Sequence, residues 1–289
     1  GLEESVSLNS FTDQKITLSE ITDTLENIES LELLKPQGNE VNGIDISTAE
    51  IVVENNINSA KINEISNFTS GEIAISKLTD SHLNISGSLE IENIDLNEAV
   101  IDITDKVDFN IVNEISTFTQ NQVFINEIED TFTKVSDINE ILNTVINSST
   151  IKVTDSVNLL NVESLDSFTN ETVTVSLLSD NHVNIQAIYD NSNLNFSFAD
   201  SDVEISENIT KEQAEKTLEN IKNFNLTGDT TFTKVADTFQ NIIDIDSLST
   251  QSNGQISMAS AVVQIIDNVD LTDIDSLRAN TNGNIIIDK

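Results

Sequence analysis

His82 and His182 are the only histidines in the chain, and they stand 100 residues apart at one position of an internal repeat. Imidazole is the commonest side-chain metal ligand, so the pair invites a metal reading. The surrounding residues favour a plainer one. Leu83 and Ile85, like Val183 and Ile185, alternate with polar residues. Read as a strand, that alternation turns the apolar side chains inward and leaves the histidine on the surface. The intervening repeat holds Phe132 at the same column, and two 50-residue repeats of spacing is too far for one shared ion. Surface histidines inherited by duplication are the expectation.

Carboxylates form two further columns, Asp80, Asp130 and Asp180 in one and Asp105 and Asp155 in the other. Such oxygen ligands suit Ca²⁺, and these five residues are the metal candidates of the chain. Like charges stacked at strand spacing repel, so columns of this kind end turns, cap helices or bind Ca²⁺. The glycine-rich nonapeptide that holds Ca²⁺ between β-roll coils is absent, and the sequence has no Gly-Gly pair. The turn reading is therefore preferred. A catalytic carboxylate pair would interrupt the repeat with several unusual polar residues, and no such cluster stands out. No GxSxG, P-loop, HExxH or Rossmann fingerprint occurs either. The chain does not read as an enzyme, and no cofactor is expected.

The elements carrying these residues come from a repeat. Phe68, Phe118 and Phe168 align without gaps at a period of 50 residues, each followed by Thr. Ile73, Val123 and Val173 align likewise, as do Ile75, Ile125 and Val175. Each period has two related halves, since Ile101 and Ile151 open segments like those at Ile73 and Val173. The first apolar residues of successive segments are Ile16, Ile44, Ile73, Ile101, Val123, Ile151, Val173, Phe196, Phe232, Ile256 and Ile285. They step by about 27 residues on average, alternating near 28 and 22 in the regular part, 61–186. That is the period of a solenoid coil.

Three signatures recur within a coil. Ile62, Ile65 and Phe68, or Val162, Leu165 and Phe168, are spaced as a helical or 3₁₀-like arc with Phe in the core. Asp137 and Glu140 make a capping-box signature for a helix whose face would be Ile138, Ile141, Leu142 and Val145. The pairs Ile73/Ile75 and Val173/Val175 read as a short strand, and Leu83/Ile85 and Val183/Ile185 as a second one after a turn at Thr79-Asp80 or Ser179-Asp180. The zone 187–230 is the least regular and reads as a helical insertion or a longer helical arc, not a domain boundary. Asn208 or Thr210 would be its N-cap, with Ala214, Leu218 and Ile221 on one face.

Composition fits this plan and narrows the partners. The chain has 50 Asp+Glu against 13 Lys+Arg, a net charge of −37, no Cys and one Pro. Nucleic acid and anionic membrane surfaces are excluded by that charge. No apolar run of membrane-spanning length occurs. The first ten residues lack the basic and apolar regions of a signal peptide. The chain opens on a half-formed coil and closes at Asn284–Lys289 within a strand, so neither end reads as capped.

The segments EITDTLENIESLELL from Glu20, KVSDINEILNTVI from Lys134 and KVADTFQNIIDIDSL from Lys234 resemble a unit of very large bacterial surface and secreted proteins. These are giant adhesins and hemolysin-type proteins exported by type I secretion. The resemblance implies an extracellular solenoid and carries over no functional residue.

The expectation is thus a mainly β, parallel β-solenoid of about eleven coils with short helical arcs, one domain over 1–289. At about 4.8 Å per coil it would form a rod on the order of 50 Å long. Its expected role is an extracellular fibre, coat or spacer component. Its partners would be itself, stacked head to tail, or flanking repeats of a longer chain. A glycan-binding adhesin is the alternative, and a polysaccharide lyase or hydrolase on a β-helix the third reading.

Overall fold

Ile, Val and Leu recur in short runs bounded by Asn, Asp, Ser and Thr, so each run can pleat, bury one face and stop. The computed structural model describes Ser7, Thr12, residues 14–36 and residues 43–288. The opening segment read above for a signal peptide therefore lies mostly outside the described residues. The chain divides into two compact units, residues 1–128 with 137–149, and residues 129–136 with 150–289.

In the first unit the chain runs through β1 (Lys15–Thr17), β2 (Glu20–Asp23), α1 (Leu25–Glu32), β3 (Gly43–Asp45), β4 (Glu50–Ile57), α2 (Ser59–Ile65) and β5 (Ile73–Asp80). It continues through α3 (His82–Ser88), β6 (Ile94–Asp95), β7 (Val100–Val107), α4 (Phe109–Ile115), β8 (Val123–Asp130), α5 (Phe132–Asn139) and β9 (Thr144–Val145). Residues 129–136, within β8 and α5, belong to the second unit. The pairs β2–β4, β4–β5, β5–β7 and β7–β8 are all parallel, with β6 beside β5, β9 beside β8, and β1 with β3 apart.

The second unit repeats the plan with β10 (Thr150–Val157), α6 (Leu159–Asp166), β11 (Val173–Asp180), α7 (His182–Asp190), β12 (Phe196–Ser197), β13 (Asp202–Ile209) and α8 (Lys211–Asn223). Then follow β14 (Thr230–Asp237), α9 (Phe239–Gln251), β15 (Ile256–Ser257), β16 (Val262–Ile265), α10 (Leu271–Leu277) and β17 (Ile285–Ile287). Its strands also pair in parallel, β10–β11–β13–β14–β16–β17, with β12 on β11 and β15 on β14. Parallel neighbours need crossovers, and each crossover here carries a helix. Both units are solenoid-like stacks of strand–helix coils, and no described helix is long and apolar enough to cross a membrane.

The long and short coils differ by a jog. Ile73 pairs with Ile94, but Leu78 pairs with Ile101, so the strand beside β5 is broken into β6 and β7. The break is a tight turn in which the Ala99 amide donates to the Leu96 carbonyl at 2.9 Å. The same turn closes on Ala49, Ser149, Ser201 and Ala261. Phe196 and Ile256 therefore mark the short β12 and β15, while the long strands of those coils are opened by Asp202 and Val262. Ile44 likewise stands in β3, and the long strand that follows is β4.

Buried hydroxyls fasten the jogs at Ala49, Ala99 and Ala261 to the next coil. Thr69 and Thr119 each donate to an alanine carbonyl, Ala49 and Ala99, at 2.6 Å. Each also accepts the amide two residues ahead, from Gly71 or Asn121, at 2.9 Å. Thr281 does the same with Ala261 and Gly283. The Thr of the repeated Phe-Thr is thus the core member, whereas Phe68 is only half-buried.

Two expected elements change. Leu83 and Val183 lie in helices and are 72% and 66% exposed, so the coils of β5 and β11 each hold one eight-residue strand and one helix, and the second strand expected at Leu83/Ile85 and Val183/Ile185 does not form. The strand consumes Leu78 and Leu178 as its third buried residue, and Asp80 and Asp180 end it. The helix expected from Asp137 begins at Phe132 instead, and Leu142 is 104% exposed. The helix in 187–230 does form, capped by Thr210 and Gln213, with Ala214, Leu218 and Ile221 buried. It occupies the ordinary slot of a coil between β13 and β14 as a longer helical arc.

Replacing Thr119 with Val keeps the shape but strands the Ala99 carbonyl and the Asn121 amide. The T119V variant should lose about 1–3 kcal/mol, read as a lower urea midpoint, while T119S stays close to wild type.

Candidate functional site

All five carboxylates singled out above bond at helix starts: Asp80, Asp130 and Asp180 end their strands, while Asp105 and Asp155 lie within β7 and β10. A helix start leaves its first amides without intrahelical partners, and an oxygen acceptor there satisfies them. Asp80, the last residue of β5, takes the Ser81 amide at 2.8 Å and the Asn84 side-chain amide at 2.8 Å on Oδ1. Its Oδ2 reaches back one coil and takes the amide of Ser59, the first residue of α2, at 2.9 Å. Asp180 repeats this with Asn181, Asn184 and Leu159, and Asp237 with Thr238, Asn241 and Lys211. Asp130 takes the Thr131 amide at 2.7 Å.

Asp105 and Asp155 reach the same kind of target by another route. Between Ile103 and Lys106 the register of β7 against β8 slips by one residue, a β-bulge. Bulges re-aim side chains, and this one turns Asp105 toward the preceding coil. There it accepts the His82 amide at 2.8 Å, the first residue of α3, while its second oxygen meets His82 Nδ1 at 2.7 Å. Asp155, at the equivalent position in the bulge of β10 between Val153 and Ser156, accepts the Phe132 amide at 2.7 Å. Asn55, Glu207 and Asp267 do the same for Leu25, His182 and Phe239. Eight helix starts are thus capped by a side chain of the following coil, at 2.7–3.0 Å.

This arrangement explains how like charges are tolerated in a column. Each carboxylate faces the positive end of a helix, not the next carboxylate. Burial alone would raise the pKa of Asp80, but hydrogen bonds from Asn84, Ser59 and Ser81 outweigh it and hold the carboxyl below its ordinary value. Asp237 is likewise raised by burial and, more strongly, lowered by Lys211, Asn241 and Thr238. The oxygens that would ligate Ca²⁺ are engaged with amides. Among the described residues no three His, Cys, Asp or Glu side chains gather as a metal site.

The histidines fill the first helical position that Phe132 fills in the intervening repeat. His82 is partly buried against Asp105. His182 is only 9% exposed, which corrects the expectation of a surface residue. Burial pushes its pKa below the ordinary value, against the opposing pull of Glu207 and the Gln213 backbone. The cap at Glu207 and the depth of His182 are not legible in the sequence, where alternation with Val183 and Ile185 sets the first residue of the helix outward on a strand. The Asp-x-x-x-Asn spacing at Asp23, Asp80, Asp180 and Asp237 was the available signal for the strand-end caps.

Comparison with protein-family models, curated proteins and solved structures returns no match.

Two measurements test the capping account. D80A removes bonds to two helices and should cost about 1–3 kcal/mol, whereas L83A, at an exposed site, should shift the unfolding midpoint by less than about 0.5 kcal/mol. The His182 contribution has a defined sign. Its folded pKa lies below the unfolded value, so the folded state resists protonation and stability falls as the pH drops below about 6.5. The melting midpoint of H182Q should therefore gain on wild type between pH 7 and pH 5, in the difference between the two proteins.

Proposed function

We propose that the chain is an elongated structural solenoid of about eleven coils, a fibre, coat or spacer element of an extracellular surface, whose coils also stack end to end between copies. The observation that carries this reading is the inter-coil cap. At eight helix starts the chain's hydrogen-bonding capacity is directed at its own next coil. The conspicuous carboxylates are absorbed in holding coil to coil, which is what a load-bearing spacer requires and what a reaction centre would interrupt. The outer edge of β17 has no strand partner among the described residues, and Ile286 and Ile287 are exposed on it. An open strand edge with apolar side chains is a template for further pairing. The remaining acidic groups keep such an assembly dispersed and away from anionic surfaces.

Negative-stain electron microscopy with sedimentation velocity tests both parts. The expected result is rods that lengthen into filaments as protein concentration and salt rise, because salt screens the charge of −37. Near-spherical particles would overturn the rod, and a constant sedimentation coefficient over the whole concentration range would overturn end-to-end stacking.

A further inference from the structure

The jog that separates β12 from β13 raises a wall beside the outer face of the second unit's sheet. Register sets Lys152, Thr174 and Ser197 opposite one another on three neighbouring strands, β10, β11 and β12. Asp200 and Asp202, in the turn and at the start of β13, stand along the other side of a cleft of about 510 Å³ that also takes in Ser176. The sheet supplies a row of one ammonium and two hydroxyls, and the jog supplies two carboxylates.

The state of these groups matters for what they can bind. Lys152 Nζ pairs with Glu129 at 3.0 Å, Asp200 accepts the Thr227 hydroxyl at 2.8 Å, and Asp202 accepts the Asp229 amide at 2.9 Å. Each charge is thus partly compensated, yet an ammonium has three donors and a carboxylate about four acceptor sites. Thr174, Ser176 and Ser197 make no side-chain hydrogen bond with other described residues, so three hydroxyls remain free to donate and accept. Val175 is the single apolar side chain in the lining, which leaves little for an apolar ligand. An anionic ligand meets two carboxylates within a chain of charge −37. A cationic one meets Lys152 in the row.

We propose that this cleft binds one neutral sugar residue, its hydroxyls shared between the Lys152–Thr174–Ser197 row and the Asp200 and Asp202 carboxylates. The proposal goes beyond end-to-end stacking and stands whether or not filaments form. The repeat also supplies its own control. The column that holds Thr174 holds Phe124 in the preceding repeat, where a half-buried ring is accommodated on the same strand position. T174F should therefore fold and fill the cleft.

The test is a titration of the full chain, followed by amide NMR, with glucose, galactose, mannose and N-acetylglucosamine, and with spermidine as a cationic probe. At least one sugar should produce a saturable shift with Kd on the order of 1 mM. T174F should abolish that shift with an unchanged melting midpoint, and S197V, which removes one hydroxyl, should weaken it about fivefold. Should T174F fail to fold, the S197V result decides. No saturable shift with any of the four sugars, binding unaffected by the variants, or saturable binding of spermidine alone would each overturn the assignment.

Discussion

A helix of seven or eight residues squeezed between two strands has as many unpaired amides at its start as a long one, and far fewer internal bonds to offset them. The crossovers of this chain are mostly of that length. Their stability depends on acceptors arriving from elsewhere. Local caps such as Asn58, Asp108 and Asn158 accept the third helical amide, while the acceptor for the first comes from the next coil, which couples helix formation to coil stacking. A coil whose successor is missing loses packing and also the partner of its first helical amide.

This dependence organises the rest of the fold. Coils that end a strand in Asp, such as β5 and β11, cap their own helix and the one before with the two oxygens of a single carboxylate. The alternate coils have no such residue at the strand end, where Val107 and Val157 are buried in the core. They supply the acceptor from the bulge instead. The bulge adds one residue against the following strand, and the jog adds two against the preceding one. Buried Thr69, Thr119 and Thr281 then tie the jogs at Ala49, Ala99 and Ala261 to the following coil.

Much of this was legible in the sequence because it is periodic. The 50-residue period, the 28 and 22 split and the strand starts at Ile73, Ile101, Val123, Ile151 and Val173 all correspond to strands. What was lost follows from phase. The strands bury Val123, Ile125 and then Ile128, a step of two followed by a step of three. Strict alternation therefore stops at Ile125 and resumes three residues later, so the sequence pattern assigns the residues beyond the turn to a second strand. Leu83 and Val183, apolar but exposed, completed that false alternation. The caps were half visible. The Asp columns could be read as caps or turns, but their reach into the preceding coil depends on a register that no single coil specifies. The cleft beside Thr174 depends on the register of three strands and was equally out of reach.

The alternation of strand-end and bulge caps sets the step by which such a chain can change length. Each kind of coil presents an acceptor shaped for the other kind and an amide that awaits the other's acceptor. Excising or copying a single coil would set two jogs side by side, or two bulges, with mismatched helix starts between them. Only a pair of coils can be duplicated or deleted and leave every handshake intact. The 50-residue identity of phase across Phe68, Phe118 and Phe168 is what growth by such pairs would leave behind.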